Sequence, residues 1–224
     1  MSRFLLTSDY ASIIQTVDLN QITENTAQNL YDSEVKAISR MRTKLVQRYM
    51  VDIELGVMTA FNAATHYRTK ERILEAGNVI YSVKEFDRYV NTTSYTTGDI
   101  VCDIDGYVYA ALQDSADKEL TNTSYWEAMV NVLKTDTDYW QQLDNRYPLF
   151  VEVAMDLTLY NVYARINPRN IPELRRERNR EALDLLDAWA SGTDTAEVLE
   201  KNTTEQIGFS IRYGSSLAKQ NNLF

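Results

Sequence analysis

The sequence predicts a mainly α protein: a small helical bundle that carries an inserted small antiparallel β module and ends in an extended C-terminal tail. Three observations lead to this fold class. Seven glycines and three prolines are few for 224 residues, which favours helices over a turn-rich all-β sandwich. Helix-length amphipathic or apolar segments lie toward both ends of the chain. In the middle, Asp105-Gly106 joins two β-like runs, and this dipeptide is typical of a hairpin turn.

The predicted organisation has three parts. A discontinuous helical domain covers residues 1–77 and 134–192, the β module covers residues 78–133, and a C-terminal arm covers residues 193–224. The net charge of −9 argues against nucleic-acid binding by the whole surface and leaves a local basic patch possible. The chain start lacks the apolar core of a secretory signal, and no run is long and apolar enough to span a bilayer. We therefore expect synthesis in a cytoplasm and no membrane partner.

The N-terminal third is predicted to be helical. Thr7 or Ser8 can cap a short helix that ends near Val17, because their side-chain oxygens accept free backbone N–H groups. Residues 18–29 are predicted to form a turn and a second short helix. From Tyr31 onward an amphipathic helix of about 19 residues is expected. Its apolar stripe is Val35, Ile38, Leu45, Val46 and Tyr49, and its basic row is Lys36, Arg40, Lys44 and Arg48.

The β module is predicted from its central hairpin. Residues 99–104 and 107–112 are β-like runs joined by the two-residue turn Asp105-Gly106. Cys102 falls in the first run, where a buried and inert thiol is expected. Several aromatic residues flank the hairpin, namely Tyr81, Tyr89, Tyr95, Tyr125 and Trp126.

Residues 149–166 form a helix-length run whose apolar residues do not keep to one face. A helix that is apolar around most of its circumference must be buried on most of it. The run is too short and too often charged to cross a bilayer. We therefore expect a central helix that is half core and half subunit interface. Val153 and Leu157 are assigned to the core, and Leu159 is assigned to the interface arc.

The last predicted helix begins at Pro172, which tolerates the first helical position, and stops before Gly192. Its predicted inner stripe is Leu174, Ala182, Leu185, Leu186 and Trp189. Glutamates alternate with Arg175, Arg176, Arg178 and Arg180 at ion-pair spacing. This pattern fits a solvated face, and it also fits a basic row that meets an acidic face of a neighbouring protein.

The β module resembles the small chitin-binding-type carbohydrate modules. The resemblance rests on Tyr95, Gly98-Asp99-Ile100-Val101, the run from Asp105 to Ala111, and Tyr125-Trp126-Glu127. The tryptophan that this family usually carries upstream of the Gly-Asp pair is absent. The resemblance implies that a carbohydrate or protein could contact Tyr89, Tyr107, Tyr109 and Trp126. The alternative is that Tyr95, Tyr109 and Trp126 form the core of a very small sheet, which needs its aromatic residues inside.

The two helical blocks, taken together, resemble the head-completion or head-to-tail adaptor proteins of tailed bacteriophages. The resemblance covers residues 1–50 and 144–192, and depends on the order of Gln47-Arg48-Tyr49, Asn145-Arg146-Tyr147-Pro148 and Pro172-Glu173-Leu174-Arg175-Arg176-Glu177-Arg178. In that family the Arg-Tyr-Pro element precedes the core helix, and a charged helix closes the bundle before an extended tail. The long interruption of residues 51–143 departs from the family's compact connection.

The resemblance implies an architectural role in the virion neck. Such adaptors form a ring, commonly twelvefold, below the portal, extend the DNA channel and present a platform for tail or stopper proteins. The expected partners are therefore copies of the same chain, the portal, those downstream proteins and DNA that passes without sequence-specific binding. The chain would be made in the host bacterial cytoplasm. The alternative is a carbohydrate-binding or host-attachment component of a tail, carried on a helical scaffold.

Two groups of residues are candidates for these contacts. The candidates for the oligomer interface are Phe150, Leu159, Tyr163, Lys36, Arg40, Arg175, Arg176 and Arg178. The candidates for a docking arm that adds a strand to a neighbour or to the portal are Phe209, Ile211, Tyr213, Leu223 and Phe224. A tail that packs on its own subunit or stays disordered is the alternative for the arm.

An enzyme is not expected. His66 is the only histidine, and no serine or cysteine lies in a recognisable nucleophile context. The aspartates between Asp99 and Asp117 lack the glycine and terminal glutamate of a calcium loop. No glycine-rich phosphate loop is present. The sequence therefore predicts neither a catalytic site nor a metal or cofactor.

Overall fold

The computed structural model describes residues 3–76 and 78–201. Its architecture is α+β, so the predicted mainly α class is wrong: helices account for 36% of the described residues and strands for 16%. The described residues form six helices and two three-stranded antiparallel sheets. The sequence reasoning identified one hairpin and missed the other sheet. The strand Trp140–Gln141 has two residues, too few for a periodic pattern to identify it. The strands Arg72–Glu75 and Val79–Val83 flank Gly77-Asn78, a turn signal in the sequence that the prediction did not use.

Three long helices form the helical half of the molecule. Helix α5 packs against both α3 and α6, which also contact each other, and the short helices α1 and α2 cover another side of α5. The core therefore lies around α5. The helices are α1 (Thr7–Tyr10), α2 (Thr16–Ile22), α3 (Ala27–Leu45), α4 (Val51–Glu54), α5 (Pro148–Ile166) and α6 (Glu173–Ser191).

The limits of α5 and α6 agree closely with the sequence predictions. Pro148 is the first residue of α5, where its missing N–H leaves no helical hydrogen bond unmade. Pro172 is the N-cap of α6. Gly192 ends that helix in the left-handed conformation with φ of 79°, which a residue with a side chain adopts only with strain. Local chain chemistry therefore sets these boundaries.

The buried face of α3 differs from the predicted stripe. Val35 and Val46 are exposed, and the buried residues are Leu30, Ser33, Glu34, Ala37, Met41 and Leu45. Glu34 can lie inside because Arg3 pairs with its carboxylate and the Tyr10 hydroxyl donates to it at 2.8 Å. Burial raises the pKa of Glu34, and the Arg3 and Tyr10 contacts only partly oppose that effect. An apolar pattern cannot reveal a helix face that contains an ion pair.

The two sheets occupy the long connection between α4 and α5. The first has the order β1-β2-β6 and the second has the order β3-β4-β5. The predicted module at residues 78–133 is too short at both ends. Strand β1 lies before it. Strand β6 lies after it and pairs with β2 through Val83 and Trp140. The strands are β1 (Arg72–Glu75), β2 (Val79–Val83), β3 (Ile100–Cys102), β4 (Val108–Ala111), β5 (Trp126–Ala128) and β6 (Trp140–Gln141).

The predicted hairpin is formed by β3 and β4, with Val101 opposite Tyr109. Its loop is longer than the predicted two residues. The Asp103 N–H donates to the Tyr107 carbonyl at 2.9 Å, so three residues close the turn. Gly106 has φ of 91°, and a three-residue loop with a left-handed last residue is a common hairpin closure.

Arg72 joins the first sheet to the helical half. Its side chain is almost completely buried and contacts the Glu54 carboxylate. It also donates to the Ile53 carbonyl at 3.0 Å and to the Asn145 side-chain oxygen at 2.6 Å. One guanidinium therefore connects β1, α4 and the residue that precedes Arg146.

Arg146 fixes the N-terminal segment to the start of α5. Its guanidinium donates to both carboxylate oxygens of Asp9, at 2.6 and 3.0 Å, and to the Phe4 carbonyl at 2.9 Å. It also donates to both oxygens of Asp144. All five N–H groups of arginine thus have an acceptor. Burial alone would lower the pKa of Arg146, but the bonds to Asp144 and Asp9 outweigh it and keep the pKa above its ordinary value.

The first prediction concerns Arg146→Ala. The substitution leaves Asp9 and the Phe4 carbonyl without their partner, and breaking a buried pair in this way costs about 3–5 kcal/mol. Arg146→Lys retains the charge but loses the forked geometry, so an intermediate loss is expected. Urea unfolding measures both values. Arg169→Ala, at an exposed position, is the matched control and should change stability by less than about 0.5 kcal/mol. Equal stability of Arg146→Ala and the control would contradict this role.

The second prediction concerns acid. Burial tends to raise the pKa of Asp144, but hydrogen bonds and charge attraction from Arg146 lower it below its ordinary 3.8. The unfolded state therefore binds this proton more readily. The stability that Asp144 contributes is present above its unfolded pKa and is lost as the pH falls through the lowered folded value. The difference in melting temperature between the wild type and Asp144→Asn should shrink from about pH 5 to about pH 2.5. A difference that stays constant over this range argues against the linkage.

Candidate interaction surfaces

Helix α5 is covered by its own subunit. Phe150 and Leu159 both have 0% exposed surface and belong to the same core cluster as the buried residues of α3 and α6. Neither side chain can contact a second copy while the subunit stays folded. The apolar circumference of α5 is therefore satisfied within one chain, and we no longer assign these two residues to an interface. Tyr163, near the end of the helix, is partly exposed.

The polar residues of α5 are also satisfied within the subunit. The Thr158 hydroxyl donates to the Ala154 carbonyl at 2.7 Å. Asp156 is buried and lies 4.0 Å from the Arg175 guanidinium. Burial raises the pKa of Asp156, and the nearby charges of Arg178 and Arg175 oppose that effect. Arg175 thus faces the bundle, whereas Arg176 and Arg178 are about half exposed and contact nearby glutamates.

The basic row predicted on α3 divides into two parts. Arg48 donates to the Trp189 and Asp194 carbonyls, at 3.2 and 3.1 Å, so it binds acceptors at the end of α6 and is not a free surface charge. Lys44 pairs with Asp187 of α6. Lys36 and Arg40 are exposed and form no ion pair within the described part of the chain. Only these two residues of the row are available for an outside partner.

Three aromatic side chains form the core of the second sheet. The rings of Tyr89, Tyr95 and Trp126 lie 5.2–5.5 Å apart between centroids. Trp126 has 2% exposed surface, and its indole N–H donates to the Lys118 carbonyl at 3.1 Å. The Tyr89 hydroxyl donates to the same carbonyl. This packing agrees with the alternative of an aromatic core for Tyr95 and Trp126, and Tyr109 packs against the same cluster.

Tyr107 and Tyr109 lie next to His66, and Tyr109 also packs against the cluster around Trp126. The His66 ring lies 5.0 Å from the Tyr107 ring and 5.4 Å from the Tyr109 ring. Its Nε2 is 2.8 Å from the Val108 carbonyl, so Nε2 carries the proton in that contact. Tyr107 is exposed and Arg68 lies over its ring. The sequence predicted contacts for both tyrosines but did not indicate that His66 lies beside them.

Cys102 is buried, as expected for a strand residue. Burial raises the pKa of its thiol to about 11, so little thiolate exists near neutral pH. The described residues contain no group of three or more His, Cys, Asp or Glu side chains placed to hold a metal ion. Across residues 3–76 and 78–201, no helix combines the length and the apolar character that crossing a bilayer requires. The proposed docking-arm residues from Phe209 to Phe224 lie outside the described residues.

No protein-family model matches this chain, and neither a curated protein nor a solved structure matches it. The resemblances to phage adaptors and to chitin-binding-type modules therefore depend only on the residues quoted for them. The fold and its surfaces must carry any functional argument.

The third prediction separates core from surface on α5. Leu159→Ala removes a completely buried side chain and should destabilise the subunit by about 2–5 kcal/mol. Leu149→Ala is the matched control on the same helix, at an exposed position, and should cost less than about 0.5 kcal/mol. Chemical denaturation of both variants measures the difference. A Leu159→Ala protein of wild-type stability that fails to assemble would instead place Leu159 at an interface.

Proposed function

We propose that this chain is a structural virion protein that forms a ring below the portal, connects a phage head to its tail and extends the DNA channel. The observation that carries the proposal is the arrangement around Arg146. The Arg-Tyr-Pro element fixes the N-terminal helices and leads directly into α5, and α3 and the charged helix α6 enclose that helix. This is the order of elements that the adaptor resemblance requires.

The charge of the chain supports a passive channel. A basic lining would hold the phosphates of moving DNA, whereas a protein with a net charge of −9 attracts them little. Closed rings require heterologous contacts, in which different surfaces of identical subunits meet. Because α5 is satisfied internally, these contacts use the exposed surfaces of the subunit. The proposed partners are further copies, commonly twelve in such rings, the portal, and tail or stopper proteins.

Carbohydrate binding by a tail component is the second candidate. The exposed Tyr107 ring beside His66 and Tyr109 favours it, since sugars stack their apolar faces on accessible aromatic rings. The burial of Trp126 and the packing of Tyr89 weaken the resemblance that suggested it. Retention of the full chain on immobilised polysaccharide, lost on Tyr107→Ala, would support this second function. Passage of the wild type through every such column would count against it.

The fourth prediction tests the adaptor directly. Full-length protein mixed with the portal protein encoded by the same genome should form portal-bound rings that negative-stain electron microscopy resolves. A chain that ends at Lys201 retains every described helix and strand, so its melting temperature should stay within a few degrees of the full-length value. If residues 202–224 dock to the portal, this truncation should lose portal binding. A full-length protein that stays monomeric both alone and with its portal would contradict the adaptor function.

A further inference from the structure

The β3-β4-β5 sheet and its loops carry a large excess of negative over positive charge. Residues 99–127 contain seven carboxylates and one lysine, a net charge of −6 within a chain of −9. All seven carboxylate residues are exposed or partly exposed. None of them forms an ion pair with any residue in the described ranges. Their charge is thus uncompensated within the described part of the subunit.

The end of this sheet opposite the hairpin turn is here called the acidic end. The hairpin turn itself lies against α4, because Gly106 is next to the Ile53 side chain, and the Thr69 N–H donates to the Gly106 carbonyl at 2.7 Å. At the acidic end, the Thr97 N–H donates to Asp114 at 2.9 Å and joins the two loops. The acidic end consists of Asp99, Asp114, Asp117 and Glu119, together with the exposed side chains of Val90 and Leu112.

A surface of opposite sign lies where α5 ends and α6 begins. Residues 165–180 contain six arginines and two glutamates, a net charge of +4. Ile166 and Leu174 lie among them with 46% and 58% of their surface exposed. A groove of about 770 Å³ adjoins them. This basic end consists of Arg165, Ile166, Arg169, Leu174, Arg176 and Arg180. The groove beside it is lined by Tyr163, Ile166 and Arg175, and on its other side by residues that include Asp18 and Glu24.

The β half and the basic end lie at opposite ends of α5. The start of α5 adjoins the β half through Asn145, which binds Arg72. The other terminus of α5 is Ile166, in the basic end. A helix of 19 residues is about 28 Å long. The acidic end and the basic end of one subunit therefore do not meet.

We propose that the acidic end of one copy docks on the basic end of the next copy. This inference rests on the proposed ring, and it names the surfaces through which neighbouring subunits meet. Each surface offers what the other lacks: carboxylates around Val90 and Leu112, and guanidinium groups around Ile166 and Leu174. Guanidinium forks bind carboxylates through paired hydrogen bonds. The contact is heterologous, so a suitable rotation between subunits closes it into a ring.

A second copy fits these surfaces better than an unrelated partner does. Both halves of the complementary pair are present in every subunit, and like ends repel, which disfavours two-fold pairing through either end. Opposite charge also steers the two surfaces together and makes association sensitive to ionic strength. DNA is the competing ligand for the basic end. It could occupy the arginines but leaves the acidic end without a partner.

The fifth prediction tests the contact by site-directed crosslinking. The buried Cys102 has a raised thiol pKa of about 11, so cysteines added at exposed positions should react first. Thr121→Cys lies in the loop after Glu119, and Asn170→Cys lies between α5 and α6. A mixture of the two single variants, treated with a short bis-maleimide, should give a covalent dimer that neither variant gives alone. Ser39→Cys, exposed on α3, replaces Asn170→Cys in the control mixture and should give none.

Charge exchange tests whether electrostatic attraction forms the contact. Arg169→Glu with Arg176→Glu, added to Asn170→Cys, should lower the yield of dimer about tenfold. Glu119→Lys with Asp117→Asn, added to Thr121→Cys, should act similarly, and asparagine tolerates the φ of 55° at position 117. Mixing the two altered proteins should restore much of the yield. Lys36→Glu with Arg40→Glu makes the same charge change on α3 and should have no effect.

Each outcome supports or overturns the inference. A Thr121–Asn170 dimer that charge exchange weakens and restores supports it. No such dimer, either alone or with the portal, overturns it, as does a yield equal to that of the Ser39 control. The protein could also retain DNA. If Arg169→Glu with Arg176→Glu abolishes that retention without changing the crosslinking, the basic end binds DNA and the inference is overturned. If portal-bound rings form without the crosslink, the adaptor proposal stands and the proposed contact is overturned. If the crosslink forms without rings, only the proposed contact stands.

Discussion

The rest of the structure depends on the buried guanidinium of Arg146. It holds Asp9 and the Phe4 carbonyl from the N-terminal segment, and Asp144 from the end of the β half. These segments are more than a hundred residues apart in the chain. A buried pair is costly to desolvate and more costly to break, so its main effect is to fix which segments meet. Once Arg146 is placed, Pro148 begins α5 at a defined position against the N-terminal helices.

A central helix that is enclosed along most of its length separates folding from assembly. The side chains of α5 are packed against α3, α6 and the two short N-terminal helices. The buried Thr158 and Asp156 also find partners within the subunit. A chain that left half of this helix exposed would show a large apolar patch, and such patches cause association before folding is complete. Here the core needs no second copy, so subunit contacts are left to polar and charged surfaces.

The sequence identified elements whose signals are local and missed elements whose partners are distant. Helices α5 and α6 were predicted because Pro148, Pro172 and Gly192 mark their ends. Strand β6 was missed because it has two residues and because its partner Val83 in β2 lies far along the chain. The same limit applied to the surfaces. Pattern alone placed Leu159 on an exposed arc, because the neighbours that bury it belong to other helices. Glu34 was overlooked as a core residue because its partner, Arg3, lies 31 residues away.

The acidic end and the basic end lie on different parts of the subunit, and this separation of charge affects how subunits would assemble. An internal core of apolar side chains makes the fold insensitive to salt, whereas contacts between exposed carboxylates and guanidinium groups weaken as ionic strength rises. Such contacts are individually weak, so isolated subunits can remain apart at low concentration. The proposed ring would multiply them, because each subunit that joined a platform would be held at high effective concentration beside the next site. A bipolar subunit with an enclosed core is therefore suited to assembly on a template such as a portal.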